Sequence, residues 1–205
     1  MARTRTTDTA VILDAALRRF LHHGLKNTTM QEIARDAGVA VGTLYLYFQD
    51  KDALVVGCAD WFAARHHEVA QALLAERRPA DQKLRRYVLQ RQREWLAVGV
   101  TAPHAAELAD AVLRLRPERT IDYAREFEGT VRGLLQEGRA AGVFPGANPD
   151  RDARVFTLAA TPFFPLAGRD HPALPKSTGL RATVDWFIEL WKCGRSRRKP
   201  GKESR

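Results

Sequence analysis

Residues 28–51 read TTMQEIARDAGVAVGTLYLYFQDK, a pattern of two short helices joined by a tight turn. Thr29 followed three residues later by Glu32 spells a capping box. The Thr29 hydroxyl can accept from the Glu32 amide, and the Glu32 carboxylate can reach back. Ile33 and Ala34 give the first helix an apolar side. Gly38 stands where the helix should stop, because only glycine enters the left-handed C′ conformation without a Cβ penalty. Val39 follows and can fill the gap between the helices. Leu44 and Phe48, four residues apart, are expected to face inward, and Thr43, Tyr45 and Tyr47 outward. The spacing predicts a helix-turn-helix whose second helix has the size to enter a DNA major groove.

Working outward, Ile12, Ala16 and Phe20, with Leu13 and Ala15 alongside, make an apolar stripe on a preceding helix capped by Thr7 or Asp8 and ended by Gly24. Residues 1–6 before it read as a short basic arm, with Arg3 and Arg5 able to reach phosphate or the minor groove. On the other side, Asp50 is a natural N-cap for a long helix running to about Pro79.

The pattern IxxAGVxxGTLYxYFxxKxxL, carried by Ile33, Ala37, Gly38, Val39, Gly42, Thr43, Leu44, Tyr45, Tyr47, Phe48, Lys51 and Leu54, closely resembles the DNA-binding signature of the TetR family of transcriptional repressors. The upstream ILDAALRRFLHHGLKNTT extends the match, which covers the first quarter of the chain. The resemblance implies that Tyr45, Tyr47 and Lys51 contact phosphates and that the helix after Asp50 is a lever between operator and ligand. It also implies a ligand cavity among the later helices, and last helices that form a four-helix bundle across a two-fold axis.

From the residue chemistry, the candidate DNA contacts are Gln31, Val41, Gly42, Thr43, Tyr45, Leu46, Tyr47 and Lys51. Gly42 would let backbone approach DNA. The Thr43, Tyr45 and Tyr47 hydroxyls can bond phosphate oxygens, Lys51 adds a charge, and Gln31 could read adenine. Two departures from the family pattern bear on specificity. Ala40 stands where Ser or Thr is common and cannot cap the second helix. Val41 and Leu46 stand where polar residues are common and can touch only a thymine methyl.

The chain has 205 residues, a formal net charge of +9 and 45% hydrophobic content, an ordinary globular composition with a bias toward polyanionic partners. No apolar run reaches the ~20 residues a bilayer span needs. The N-terminus carries no apolar signal core. Two cysteines, Cys58 and Cys193, are too few for a disulfide framework, so a cytoplasmic setting is expected.

Further helices are predicted at Asp81–Gly99, from Thr101 or Pro103 to Pro117, at Glu118–Ala141, from Asn148-Pro149-Asp150 onward, and at Thr178–Lys192. Pro162 and Pro165 should bend the segment ATPFFPLAG. The tail GRSRRKPGKESR reads as disordered. The fold class is all-α, divided into a helix-turn-helix domain over 1–52, a ligand-binding and dimerisation domain over 53–194 and a basic tail over 195–205.

Aromatic residues exceed what helix spacing requires, and although most are expected in the core, the cavity that the resemblance implies makes Trp61, Trp95, Phe127, Phe156 and Phe163, with His104 and Glu107, candidate ligand contacts; Arg91 and Thr161 are further polar handles. Phe156, Trp186, Phe187 and Leu190 are candidate dimer contacts. The adjacent pairs His22-His23 and His66-His67 are poorly spaced for a metal and read as surface histidines; Cys58 reads as an inert buried thiol. Neither a cofactor nor a metal is implied, and no nucleophile, phosphate-loop or metal pattern points to an enzyme. The leading expectation is a homodimeric repressor with a double-stranded DNA operator and a small apolar or amphipathic effector. The alternative is a helical ligand-binding or protein-interaction module that keeps the motif only for its fold.

Overall fold

A computed structural model describes residues 2–99, 102–164 and 179–193, with the side chains of residues 2–8, 98, 99 and 120 outside the description. Among the described residues the chain is entirely helical. The helices are α1 (Ala2–His23), α2 (Met30–Asp36), α3 (Val41–Tyr47), α4 (Lys51–Leu74), α5 (Ala80–Gly99), α6 (Ala105–Leu115), α7 (Glu118–Ala140), α8 (Pro149–Ala160) and α9 (Gly179–Lys192). A 3-10 turn at Thr161–Phe163 extends α8, where Pro162 cannot continue the α-helical ladder.

Helix ends follow local chemistry. Thr29 and Glu32 form the full capping box at the start of α2. Asp50 accepts from the Ala53 amide at 2.8 Å at the start of α4, and Asn148 accepts from the Arg151 amide at 3.1 Å before α8, with Pro149 at its first position. Gly24, Gly38 and Gly142 hold positive φ of 82°, 69° and 73° where α1, α2 and α7 end. Ala40 caps α3 without a side-chain hydrogen bond, as its chemistry requires.

Several boundaries differ from the sequence reading. α1 starts at Ala2, so residues 2–6 are its first turns rather than an arm ahead of it, and Thr7 and Asp8 lie inside the helix. α4 stops at Leu74, five residues before Pro79. α6 starts after His104 rather than at Thr101 or Pro103. There the His104 amide donates to the Leu21 carbonyl at 3.1 Å, so a tertiary contact sets the helix start. The side chains of Arg3 and Arg5, Pro165 and the loop through Pro172 and Pro175, and the tail 195–205 lie outside the described residues.

The apolar side chains gather into two cores. One joins α1, α2, α3 and the first half of α4 through Ile12, Ala16, Phe20, Ile33, Leu44, Leu54 and Cys58, and it reaches into α6 through Ala105, Leu108 and Ala111. The other joins α5, α7, α8 and α9 through Leu84, Val88, Val131, Leu135, Phe156, Val184, Ile188 and Trp191. The domain boundary expected at 52/53 falls in the first turn of α4, and the first core continues past it to α6.

A candidate DNA-binding helix and an apolar cavity

Arg19 of α1 sets the position of α2. Its guanidinium lies 2.5 Å from the Asp36 carboxylate and 3.2 Å from Glu32. The hydrogen bond to Arg19 holds the Asp36 carboxyl below its ordinary range, and the bond to Asp36 raises Arg19. The short helices are further fixed by Ile33 and Leu44, both fully buried. Phe48 and Leu13 pack against Gly57, where an added Cβ would come within 2.8 Å of the Phe48 ring. Gly57 therefore lets α4 cross α1 and the helix-turn-helix at close range, a constraint invisible in the motif alone.

On α3, Leu46 is 84% exposed and Tyr45 49% exposed. Gly42 is exposed, and a Cβ added there would meet nothing within 4 Å. Gln31 is exposed on α2. The expectation that Thr43 and Tyr47 face outward holds only in part for Thr43, which is half-buried, and needs correction for Tyr47. That ring is half-buried and, like Val41, packs against the first core. Lys51 is also partly buried, and its Nζ donates to the Leu25 carbonyl at 2.5 Å. That bond ties the start of α4 to the loop after α1, so the ammonium is already engaged within the protein.

A cavity of about 330 Å³ lies where the two cores meet. Leu17 and Leu21 of α1, Val55, Cys58 and Phe62 of α4, and Leu108 and Val112 of α6 form one side of it. Arg91 and Trp95 of α5, Tyr123 and Phe127 of α7, Thr157 of α8, Thr161 and Phe164 continue the wall. Its aromatics contact one another: Phe62 and Trp95 at 6.2 Å, Trp95 and Tyr123 edge to face at 5.9 Å, and Phe127 and Phe164 at 5.7 Å.

Of the ligand candidates named from sequence, Trp95, Phe127, Arg91 and Thr161 line this cavity, whereas Trp61, His104, Glu107, Phe156 and Phe163 do not. Trp61 packs on the first core. His104 and Glu107 pair at 3.3 Å and close over Gly24, so they latch α6 to the end of α1. Phe156 is fully buried between Phe127, Phe187 and Trp191. Phe163 is buried against Gly179, and its carbonyl accepts from Gln92 at 3.3 Å. Sequence reasoning did not single out Thr157, Arg119 or Tyr123 for the cavity. A threonine directly after Phe156 and tyrosine and arginine on one side of α7 carry no pattern that separates pocket from surface.

The histidine pairs also differ from expectation. His22, His23 and His67 are exposed, but His66 is buried, with Nδ1 2.6 Å from Glu94 and the Phe62 ring edge-on at 4.2 Å. Desolvation, offset in part by Glu94, lowers its pKa. Cys58 behaves as expected: burial pushes its thiol up to about 12, so the reactive thiolate is suppressed. Among the described residues no cluster of three or more potential metal ligands exists, and no helix is long and apolar enough to cross a membrane.

For the dimer candidates, Trp186 is 60% and Leu190 50% exposed, and Val155 and Leu158 of α8 are exposed as well. Phe156 and Phe187 instead belong to the intrachain core, because their rings pack on each other and on Trp191.

Residues 12–58 match the family described as bacterial regulatory proteins, tetR family. Over 130 residues the chain is 29% identical to the HTH-type transcriptional dual regulator CecR of Shigella flexneri, covering 60% of this chain and 57% of that protein. It therefore spans little more than half the length of that relative. It is 26% identical over 187 residues to the HTH-type transcriptional regulator TtgR of Pseudomonas putida, covering 88% of this chain and 87% of the other. A transcriptional regulator from Cytophaga hutchinsonii superposes with a TM-score of 0.71 at 21% identity, covering 88% of this chain and 96% of that one, a likeness of fold. With the helix-turn-helix built as its sequence requires and the all-helical fold shared along most of the chain, residues 12–58 form a helix-turn-helix unit of the tetR family of bacterial regulatory proteins, and the chain as a whole is similar to transcriptional regulators of that kind.

Proposed function

We propose that this chain is a one-component transcriptional repressor. Two copies bind a palindromic operator, and a small hydrophobic or amphipathic molecule in the cavity releases them. The N-terminal unit, about residues 1–52, docks on DNA through α3, with Gln31, Gly42, Thr43, Tyr45 and Leu46 at the surface and Tyr47 at its edge. Residues 53–194 take the ligand and the partner copy. Trp186 and Leu190, together with Val155 and Leu158, supply exposed apolar surface suited to a two-fold contact.

One observation carries the reading: the cavity wall is shared between the two cores. Leu17 and Leu21 belong to the helix that supports the helix-turn-helix, and Val55 and Cys58 to the helix leaving it. A molecule in the cavity therefore touches α1 and α4 directly. An effector shifts an equilibrium only by its differential affinity for two states, and a wall built from α1 and α4 is where such a difference would arise. A rotation of these helices changes the separation of two recognition helices that must sit about one DNA turn, ~34–36 Å, apart.

The test is fluorescence anisotropy of a labelled operator, titrated with hydrophobic compounds that quench Trp95. Compounds that fill the cavity should lower operator affinity. Filling without any change in DNA affinity would contradict the coupling.

A further inference from the structure

The charged groups in the wall of the cavity are cationic, and no carboxylate lines it. Arg91 is 8% exposed. Its guanidinium reaches the Tyr87 hydroxyl at 3.5 Å and the Tyr123 carbonyl at 3.4 Å, both long, and stands 5.4 Å from the centre of the Phe127 ring. The acids in its neighbourhood are engaged elsewhere: Glu94 with His66 at 2.6 Å and Glu126 with His67 at 2.9 Å.

Two further groups point the same way. Arg119 uses one terminal nitrogen on Asp60, and its Nε is buried without a partner. Thr157 is 7% exposed, and its hydroxyl is buried without a partner. The hydroxyls of Tyr123 and Thr161 already donate within the protein, Tyr123 to the Ala59 carbonyl and Thr161 to the Thr157 carbonyl. A buried cation with no carboxylate paired to it is costly, as is an unmet buried donor. Both are relieved by an anionic acceptor, and a guanidinium offers a carboxylate a two-pronged bond.

We infer that the effector is an amphipathic monoanion, an apolar body lying among Phe62, Trp95, Phe127 and Phe164 with a carboxylate bound by Arg91. This rests on the cavity being the effector site. A volume of about 330 Å³ is at the small end of the ~300–1,000 Å³ common for ligand pockets, so one small apolar body with one head group fits the space.

Quenching of tryptophan fluorescence reads the site, since Trp95 is in the wall. Matched probes separate body from head: decanoate against decanol and decyltrimethylammonium, and 4-phenylbenzoate against 4-phenylbenzyl alcohol. Wild-type protein at pH 7.5 should bind at least one acid ten times or more tighter than its alcohol, and the ammonium least. Arg91→Met should abolish that preference while leaving alcohol affinity within twofold, and Arg91→Lys should keep part of it. Apo Arg91→Met should melt no lower than wild type, since it loses a buried charge that forms no ion pair; a guanidinium kept for structure would give a lower melting temperature. Equal binding of acid and alcohol by wild type, or a preference that survives Arg91→Met, would overturn the anion assignment and leave the cavity as a ligand site. If no probe binds wild type, both the cavity reading and the inference built on it fall. The wild-type comparison needs no variant to fold.

Discussion

Single side chains decide between packing and function at several points. Gly42 is the sharpest case on α3. A Cβ there meets nothing within 4 Å inside the protein, and one helix-surface substitution costs under ~1 kcal/mol in propensity. Gly42→Val should therefore leave the urea midpoint nearly unchanged while abolishing operator binding by anisotropy; normal affinity would show that backbone does not approach DNA here. Lys51 is less simple than its position in the motif suggests, because its ammonium also holds the Leu25 carbonyl. His66 makes a prediction in pH. Desolvation lowers its pKa in the folded chain, so between the lowered value and the unfolded ~6.5 the unfolded state binds more protons. Stability from this group is complete above ~6.5 and is lost as pH falls toward the lowered value. His66→Gln should flatten the decline in melting temperature between about pH 7 and 5.5, and an unchanged slope in the variant would remove His66 as its source.

At the scale of elements, the α1–α6 latch and the exposed apolar surface of α8 and α9 matter most. Gly24 ends α1 with φ of 82°, and a Cβ there would come within 2.7 Å of the Glu107 carboxylate. Gly24→Ala should cost ~1–3 kcal/mol in urea unfolding, and a neutral result would mean that the His104–Glu107 latch yields freely. Phe156→Ala should cost ~3–5 kcal/mol, because this ring is fully buried among three other aromatics. The paired changes Trp186→Glu and Leu190→Glu replace exposed apolar surface. They should give a soluble helical protein sedimenting at the monomer mass of 23.0 kDa, with operator affinity at its non-specific level; wild type already at that mass would sink the dimer. The elements themselves were largely legible in sequence, because capping boxes, N-cap residues and helix-ending glycines are local signals. Thr29, Asp50, Asn148 and Gly38 all act as their identities suggest. The cavity was only partly legible. Trp95, Phe127 and Phe156 look alike in sequence, since each is an aromatic on an amphipathic helix. Which of them faces the space between the cores depends on how α5, α7 and α8 cross. The burial of His66 was hidden for the same reason, as its partner Glu94 comes from α5.

Across the whole molecule, two cores meet at a cavity, and the helices that build the helix-turn-helix form part of its wall. The net charge of +9 adds a sequence-independent attraction to DNA, which weakens steeply with salt. On the proposed reading, specificity comes from α3 and from the fixed spacing of two copies, since one such unit makes few base contacts. On the same reading, the exposed Leu46 and half-buried Val41 would favour thymine methyls over hydrogen-bonded base edges. The central claim is thus geometric, that two recognition helices read one inverted repeat. A selection from a random duplex DNA pool, at fixed salt and sequenced after several rounds, measures it directly. The account predicts an enriched inverted repeat with half-site centres about one turn, ~10 base pairs, apart. Enrichment of a single unrepeated half-site, or no enrichment over the starting pool, would contradict it.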